Sequence, residues 1–283
     1  MNASRIKVGL INIEPKVVNT ALMQVANYHR QRGNYVAWAD PEKYDYFDKL
    51  YCSSLFDFTD KTQVPERAIC GGTGFDLTTK LGFDCGYDYS IYPECDFSLV
   101  WFSRGCIRNC PFCIVQKKEG AIHTVNPKPL NLNGTQIKVQ DNNFFASEDW
   151  RGAIRQLHEW GQPVDFHQGI DVRLITDEIL DALCSLKMKR FIRIAWDNPR
   201  LDLTGYIRKL TSRIKPYRIM CYVLIGYWST PEEDLYRIET LRGFGIDPFV
   251  MPFNKKDPYQ KRFARWVNMK AIFKTVKWED YSR

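Results

Sequence analysis

The sequence is short of the features that mark membrane and secreted proteins. Its 283 residues contain no apolar run long enough to cross a bilayer, and the start, Met-Asn-Ala-Ser-Arg-Ile-Lys, lacks the apolar segment of a signal peptide. It has no internal repeat at a fixed period and no low-complexity tract. Hydrophobic residues make up 45% of the chain, which is enough for a real core. We therefore expect a cytoplasmic globular protein that has no membrane partner.

The cysteine pattern argues against a disulfide scaffold. Nine cysteines are an odd number in a long chain, and three of them fall within eight residues. A reducing cytoplasm fits this usage better than secretion does.

The three clustered cysteines follow a short apolar run, Phe97–Phe102, which predicts a buried strand. Three and then two residues separate them: Cys106, Cys110 and Cys113. Gly105 gives the chain freedom to turn, so the three thiols can converge in a compact loop. Thiolates held in this way bind a soft metal centre, and three of them leave one coordination position open.

Three other interpretations compete with a cluster. Cys110-Pro-Phe-Cys113 alone fits a thioredoxin-like dithiol, although the third thiol is then unneeded. A structural zinc would take a fourth ligand from His123 or from a distant cysteine. Inert buried cysteines fit least well, because Arg104 and Arg108 make the loop polar. An iron–sulfur cluster remains the leading hypothesis.

The residues before the cysteines alternate between strands and a helix. Strands are predicted at 5–11 and 34–39, with an amphipathic helix at 16–32 between them. The glycines of Gly71-Gly72-Thr73-Gly74 do not form the dinucleotide fingerprint, so we interpret them as a tight turn. We expect residues 1–95 to form a small Rossmann-like domain of the α/β class.

Strands and helices also alternate after the cysteines. With 97–102, six strands are predicted, at 135–140, 164–168, 190–196, 218–225 and 248–252. Short connections and right-handed crossovers favour a parallel sheet curved as a partial (β/α)6 barrel over 96–253. Polar residues gather just after the carboxyl end of each strand, where such barrels build their sites.

Cys106-x3-Cys110-x2-Cys113, with an aromatic residue just before the last cysteine, resembles the signature of the radical S-adenosylmethionine (SAM) superfamily. The resemblance implies that these three catalytic cysteines hold three irons of a 4Fe-4S cluster and that the SAM amine and carboxylate chelate the fourth iron. It further implies an enzyme that cleaves SAM reductively to methionine and a 5′-deoxyadenosyl radical, which abstracts hydrogen from a substrate. An electron donor of the flavodoxin or ferredoxin type is the implied partner.

The resemblance also implies where SAM is held. Asp141-Asn142-Asn143 stands where the family often has a Gly-Gly-Glu-like turn for the methionine amine, and it keeps an acceptor while losing the glycines. The remaining candidates for SAM contacts are Phe112, Asp171, Arg173, Asp197 and Gly226. An ordinary Asx turn at Asp141 and a plain salt bridge between Asp171 and Arg173 remain open as alternatives.

The N-terminal half resembles the degenerate cobalamin-binding-like domain that precedes many radical SAM cores. The cobalamin-ligating pattern Asp-x-His-x-x-Gly is missing there, because His29, its one histidine, lacks that spacing. We therefore expect no cobalamin. The roles of Cys70, Cys85 and Cys95 stay open, with a structural role preferred for the last two.

The substrate is not indicated, and a small molecule and a nucleic acid both remain open. Net charge is +7, and the segment 254–283 carries nine Lys/Arg against three Asp/Glu. One alternative is a nucleic-acid-modifying enzyme in which this basic, aromatic-rich tail makes phosphate contacts and stacks bases. The preferred interpretation of the tail is an amphipathic helix that buries Phe263, Trp266, Val267 and Phe273. A non-catalytic iron–sulfur or zinc protein is the third class.

Overall fold

The computed structural model describes residues 5–282, and the chain is of the mixed α/β class with parallel sheets, as predicted. The first four residues, part of the start that lacks a signal-peptide pattern, and Arg283 of the basic tail lie outside the described residues. The chain divides into two compact units. The first comprises the chain up to Val100 together with Pro127–Thr135, and the second comprises Trp101–Asn126 together with the chain from Gln136 onward.

The first unit is built on a four-stranded parallel sheet. Its elements are β1 (Lys7–Ile11), α1 (Thr20–Arg30), β2 (Tyr35–Trp38), β3 (Lys49–Ser53), β4 (Ile69–Gly71) and β5 (Phe97–Val100), with 3-10 turns at Pro41–Tyr46 and Tyr89–Ile91. The strand order is β2-β1-β3-β4, and all three pairings are parallel. Helix α1 begins later than the predicted residue 16, because the Asn19 side chain caps it by accepting from the N–H groups of Ala21 and Leu22.

The turn that follows β4 packs closely against Ser54. A Cβ atom at Gly72 would lie 2.5 Å from Ser54 O, and one at Gly74 would lie 2.2 Å from Ser54 Oγ. These glycines therefore allow close backbone packing, which agrees with the predicted tight turn. Beside them, the Glu14 carboxylate accepts from the N–H groups of Leu55 and Phe56.

The second unit holds the remaining elements. Its strands are β6 (Ser103–Arg104), β7 (His123–Thr124), β8 (Gln136–Val139), β9 (Val164–Phe166), β10 (Ile192–Ala195), β11 (Ile219–Ile225) and β12 (Asp247–Pro252). Its helices are α2 (Val115–Glu119), α3 (Trp150–Trp160), α4 (Asp177–Ser185), α5 (Thr204–Thr211), α6 (Pro231–Gly243), α7 (Pro258–Asn268) and α8 (Lys270–Thr275), with 3-10 turns at Phe144–Ala146, Val172–Leu174 and Pro216–Arg218. The β8–β9 pair is parallel, and β10, β11 and β12 form a parallel sheet in that order.

Helices follow most of these strands and bring the chain back, so the carboxyl ends of the parallel strands face one way. A single parallel bridge, Ile170 to Ile194, connects the chain after β9 with β10. In the part of the chain that the structure describes, no helix is long and apolar enough to cross a membrane.

The C-terminal segment packs into the second unit as amphipathic helices. Phe263, Trp266 and Val267 of α7 are buried, as is Phe273 of α8. Trp278 lies against this cluster, with its ring centroid 5.0 Å from that of Phe263. The amphipathic prediction is confirmed, because Phe263, Trp266 and Phe273 form a core.

Candidate functional site

The three clustered cysteines lie in a loop closed by a short antiparallel clip. Strand β6 before the loop pairs with β7 after it, through Ser103 opposite Thr124 and Arg104 opposite His123. The sequence did not predict this pairing, since the apolar run was read as one strand to Phe102. The clip closes the ends of the cysteine loop against each other.

Gly105 is required where the loop leaves the clip. Its φ is +78°, and a Cβ atom there would lie 2.3 Å from the carbonyl oxygen of Ala121. Only glycine meets both constraints without strain. Cys106 N–H then donates to Gly120 O at 3.3 Å, and Cys113 N–H donates to Cys110 O at 2.9 Å. These contacts set the curl of the loop.

All three cysteines line one cavity of about 320 Å³ within the second unit. The cavity lies where the chain leaves the carboxyl ends of successive strands, as the sequence pattern led us to expect. Of the other residues predicted to hold SAM, the lining includes six: Phe112, Asn142, Asn143, Asp171, Arg173 and Asp197. The lining does not include Asp141 or Gly226.

Asp141, a predicted SAM contact, accepts hydrogen bonds from the backbone and from Ser103. It is buried and accepts from Phe102 N–H at 3.0 Å, from Ser103 N–H at 2.6 Å and from Ser103 Oγ at 2.6 Å. Burial raises the pKa of this carboxyl above its ordinary value, against the opposing hydrogen bonds from Ser103 and Phe102. Asp141 therefore fixes the entry to the cysteine loop and does not reach the cavity.

Asn143 belongs to the same predicted SAM-binding turn as Asp141. It lines the cavity, and its Nδ2 donates to Cys106 Sγ at 3.7 Å. Its Oδ1 is buried and has no hydrogen-bond partner among the described residues 5–282. A buried acceptor without a donor is costly, and such an atom beside a cavity points to a ligand that donates.

Asp171 and Arg173 form an ion-paired group that also includes Arg108. Arg173 Nε donates to Asp171 Oδ1 at 2.6 Å, and Arg108 Nε donates to Asp171 Oδ2 at 2.8 Å. Burial alone would raise the pKa of the Asp171 carboxyl, but the hydrogen bonds and charges of the two arginines prevail and lower it. One carboxylate thus orients two guanidinium groups that both line the cavity.

Asp197 follows β10 and lies in the cavity wall. It accepts from Leu224 N–H at 3.1 Å, which ties it to the neighbouring strand β11. Burial raises the pKa of its carboxyl, and the hydrogen bond from Leu224 opposes that shift. A carboxyl group with a raised pKa can share a proton with a hydroxyl group of a ligand.

Gly226, another predicted SAM contact, packs closely against Gln260. It has a φ of +75°, and a Cβ atom there would lie 2.1 Å from Gln260 Nε2. The glycine is therefore required by close packing against α7, and Trp228 lines the cavity near this end of β11. Phe112 contacts the same region, with its ring centroid 5.6 Å from that of Trp228.

Two side chains of α2 support the site, and the sequence analysis missed both. Glu119 accepts from Arg104 Nη2 at 2.6 Å, from Gly105 N–H at 3.0 Å and from Asn142 Nδ2 at 2.7 Å. Gln116 Nε2 donates to Cys106 O at 2.5 Å and to Arg108 O at 3.0 Å. One sequence feature could have identified them: a carboxylate and an amide lie on the short helix that directly follows the last cysteine.

None of the nine cysteines forms a disulfide in the described chain. Burial raises the pKa of the Cys110 thiol; Cys113 adds to the shift and Arg173 opposes it. The other cysteines left open by the sequence lie in the first unit: Cys70 pairs in register with Cys52, Cys85 Sγ donates to Gln24 O, and Cys95 Sγ donates to Phe97 O.

Within residues 5–282, no three His, Cys, Asp or Glu side chains stand close enough to hold a single metal ion. No protein-family model matches the sequence, and no curated protein sequence matches it.

Proposed function

We propose that this protein is a radical SAM enzyme, in which Cys106, Cys110 and Cys113 hold a 4Fe-4S cluster and the adjoining cavity holds SAM. The observation that carries the proposal is the buried, unpartnered Oδ1 of Asn143 in the same cavity as three free thiols. Asn143 Oδ1 lacks a hydrogen-bond donor, and it belongs to a cavity lined by three thiols, which are soft metal ligands. An ammonium group bound next to a metal cluster would supply that donor.

The donor set fits a cluster with one open iron. Three thiolates ligate three irons, and hydrogen bonds to the sulfurs tune the reduction potential. Arg108 N–H donates to Cys106 Sγ at 3.3 Å, and Asn143 Nδ2 approaches the same sulfur. Both would stabilise negative charge on that ligand.

The cavity also fits the functional groups of SAM. Asn143 Oδ1 would accept from the ammonium group, and Arg108 with Arg173 would face the carboxylate. Asp197 would accept from a ribose hydroxyl, while Phe112 and Trp228 offer faces and edges to the adenine. A volume of about 320 Å³ is within the range of small-molecule sites.

The cluster, when bound, supplies an electron that cleaves SAM reductively to methionine and a 5′-deoxyadenosyl radical for hydrogen abstraction. The residues of this chain bind and orient SAM. Asp171 keeps the two arginines in place because it is ion-paired to both. A flavodoxin-like or ferredoxin-like protein is the proposed electron donor.

The finer architecture belongs to the same proposal. We regard β8 to β12 as strands of the predicted partial (β/α)6 barrel, and the parallel pairings within β8–β9 and β10–β12 support it. We regard the parallel sheet of the first unit as a Rossmann-like, degenerate cobalamin-binding-like domain that holds no cobalamin. A non-catalytic zinc or iron–sulfur protein remains the alternative class.

Electron paramagnetic resonance separates these classes. Protein reconstituted anaerobically with iron and sulfide should contain about four irons per chain. Its reduced cluster should give a signal that changes when SAM is added, because SAM would ligate the open iron. Stoichiometric zinc without sulfide, or a cluster signal indifferent to saturating SAM, would refute the proposal.

A further inference from the structure

Four aromatic rings continue from the cavity to the outer surface of the second unit. This aromatic rim consists of Phe112, Tyr227, Trp228 and Phe253. Tyr227 connects its members, with ring centroids 5.6 Å from Phe112, 5.1 Å from Trp228 and 4.7 Å from Phe253. Phe112 and Trp228 line the cavity, whereas Phe253 is outside its lining.

Part of the aromatic surface of the rim is exposed. Phe253 is 54% exposed and Trp228 is 36% exposed. Phe253 directly follows β12, next to the cavity end of the strands, and its ring contacts Tyr227 edge to face. Exposed rings next to a reactive cavity mark a surface for a planar, stacking ligand.

A basic strip begins beside the rim. It consists of Lys256, Lys261 and Arg265, all exposed. Helix α7 carries the last two, and it is anchored along β12 by Asn254 N–H donating to Gln260 Oε1 at 2.9 Å and by Asn268 pairing with Val250. The helix therefore starts at the rim and runs back along the strand.

The spacing of the strip suits a polyanion. Lys261 and Arg265 are four residues apart, so they are neighbours on the solvent side of α7, opposite its buried aromatic face. Asp257, the acidic residue next to the strip, is engaged as the helix cap through Gln260 N–H. A row of cations that begins at exposed aromatic rings can contact the phosphates of a nucleic-acid strand while the rings stack on its bases.

We propose that the substrate of this site is a single-stranded nucleic acid, with a base stacked on Phe253 and Trp228 and phosphates on the basic strip. The inference rests on the proposed radical SAM function and names its substrate class. A duplex does not fit, because its bases are stacked on one another and leave no face for these rings. The tail takes part through its solvated cations, while its own aromatic residues stay in the core.

Fluorescence anisotropy with cluster-loaded protein tests this inference. The probes are fluorescein-labelled 12-mers of one mixed sequence, as single-stranded RNA, single-stranded DNA and the DNA duplex, in a series of salt concentrations. Single strands should bind more tightly than the duplex. If single-stranded RNA and single-stranded DNA differ in affinity, the proposal is supported and the tighter probe identifies the preferred sugar. If they bind equally, the proposal is supported and recognition depends on base and phosphate alone.

Two sets of variants separate stacking from charge. Phe253→Ala and Phe253→Leu should each weaken single-strand binding by about 5- to 150-fold. Tyr217→Ala removes an exposed ring that precedes the other end of β11, and it should leave affinity unchanged. A K256Q/K261Q/R265Q variant should flatten the slope of log affinity against log salt by about 2, since each phosphate contact on a single strand contributes about 0.7. The matched K187Q/K189Q/K215Q variant, at the amino ends of the strands, should keep the wild-type slope.

Duplex binding as tight as single-strand binding would overturn the inference. So would Phe253 variants that bind like the wild type, or a control triple variant that flattens the slope as much as the strip variant does. The binding assay needs neither reductant nor SAM turnover, so it is independent of the enzyme assay. Protein that cleaves SAM but binds no 12-mer refutes the nucleic-acid substrate alone, while protein that cleaves no SAM refutes the proposed function.

Discussion

Glu119 accepts a hydrogen bond from Asn142 Nδ2 at 2.7 Å and thereby joins two segments that are 23 residues apart. The same carboxylate accepts from Gly105 N–H and Arg104 at the start of the cysteine loop. The loop with the three thiols and the turn that contains Asn142 and Asn143 are thus held by one side chain. Glu119 therefore fixes the position of the cysteine loop relative to this turn.

Replacing Glu119 should therefore impair SAM binding more than cluster binding. Glu119→Gln loses the negative charge and one of its acceptor oxygens, and we expect SAM affinity to fall about tenfold. The visible absorbance of the cluster should be retained, since all three thiols remain. Equilibrium dialysis measures SAM affinity, with Glu159→Gln as a matched exposed control. Loss of the cluster with unchanged SAM affinity in apo-protein would contradict this role.

Removing the Asn143 acceptor should weaken SAM binding directly. Asn143→Ala deletes a hydrogen bond to a charged donor, so we expect a loss of about ten- to a hundredfold in affinity. Asn133→Ala, an exposed asparagine in the first unit, is the control and should bind SAM normally. An Asn143→Ala protein with wild-type affinity would remove Asn143 from the SAM site.

Asp141→Ala should affect stability. The substitution leaves the buried N–H groups of Phe102 and Ser103 without their acceptor, at a cost of roughly 3 kcal/mol in the free energy of unfolding. Urea denaturation followed by circular dichroism measures this, with exposed Asp57→Ala as control. A fully stable variant that fails only in SAM binding would restore Asp141 to the site.

Acidification should loosen the 54–59 loop of the first unit. Burial alone would raise the pKa of Glu14, but hydrogen bonds from Leu55, Thr59, Ser54 and Phe56 lower it below its ordinary value of 4.5. The stabilisation is therefore fully present above pH 4.5 and is lost as pH falls through the lower folded-state pKa. Protection of the Leu55 and Phe56 amides in hydrogen exchange, corrected for intrinsic rates, should fall in that range. Glu14→Gln should show weaker protection and no such pH dependence, and an unchanged profile in the variant would contradict the assignment.

Local signals in the sequence predicted the parallel α/β class correctly. Signals of the same local kind start two helices: Thr230 and Glu233 form a capping box at α6, and Thr176 caps α4 by accepting from Ile179 N–H. These features depend on residues within one helical turn, so spacing alone reveals them.

The contacts of Asp141 and Gly226 depend on distant partners. Asp141 bonds to residues 38 and 39 positions earlier, and Gly226 packs against Gln260. No local pattern distinguishes a turn carboxylate that binds a ligand from one that binds backbone. The position of polar residues after strand ends predicted which segments line the cavity, but the assignment of individual side chains required their long-range contacts.

Cleavage of SAM by the reconstituted protein tests the central claim most directly. With the cluster loaded anaerobically and a competent reductant present, chromatography should detect methionine and 5′-deoxyadenosine, formed slowly without substrate. Variants that replace Cys106, Cys110 or Cys113 with alanine should lose cluster and cleavage together, because two thiolates do not retain a cubane. Cys184→Ala, an exposed thiol away from the cavity, should cleave SAM like the wild type. A fully loaded cluster that yields no 5′-deoxyadenosine at saturating SAM would contradict the account.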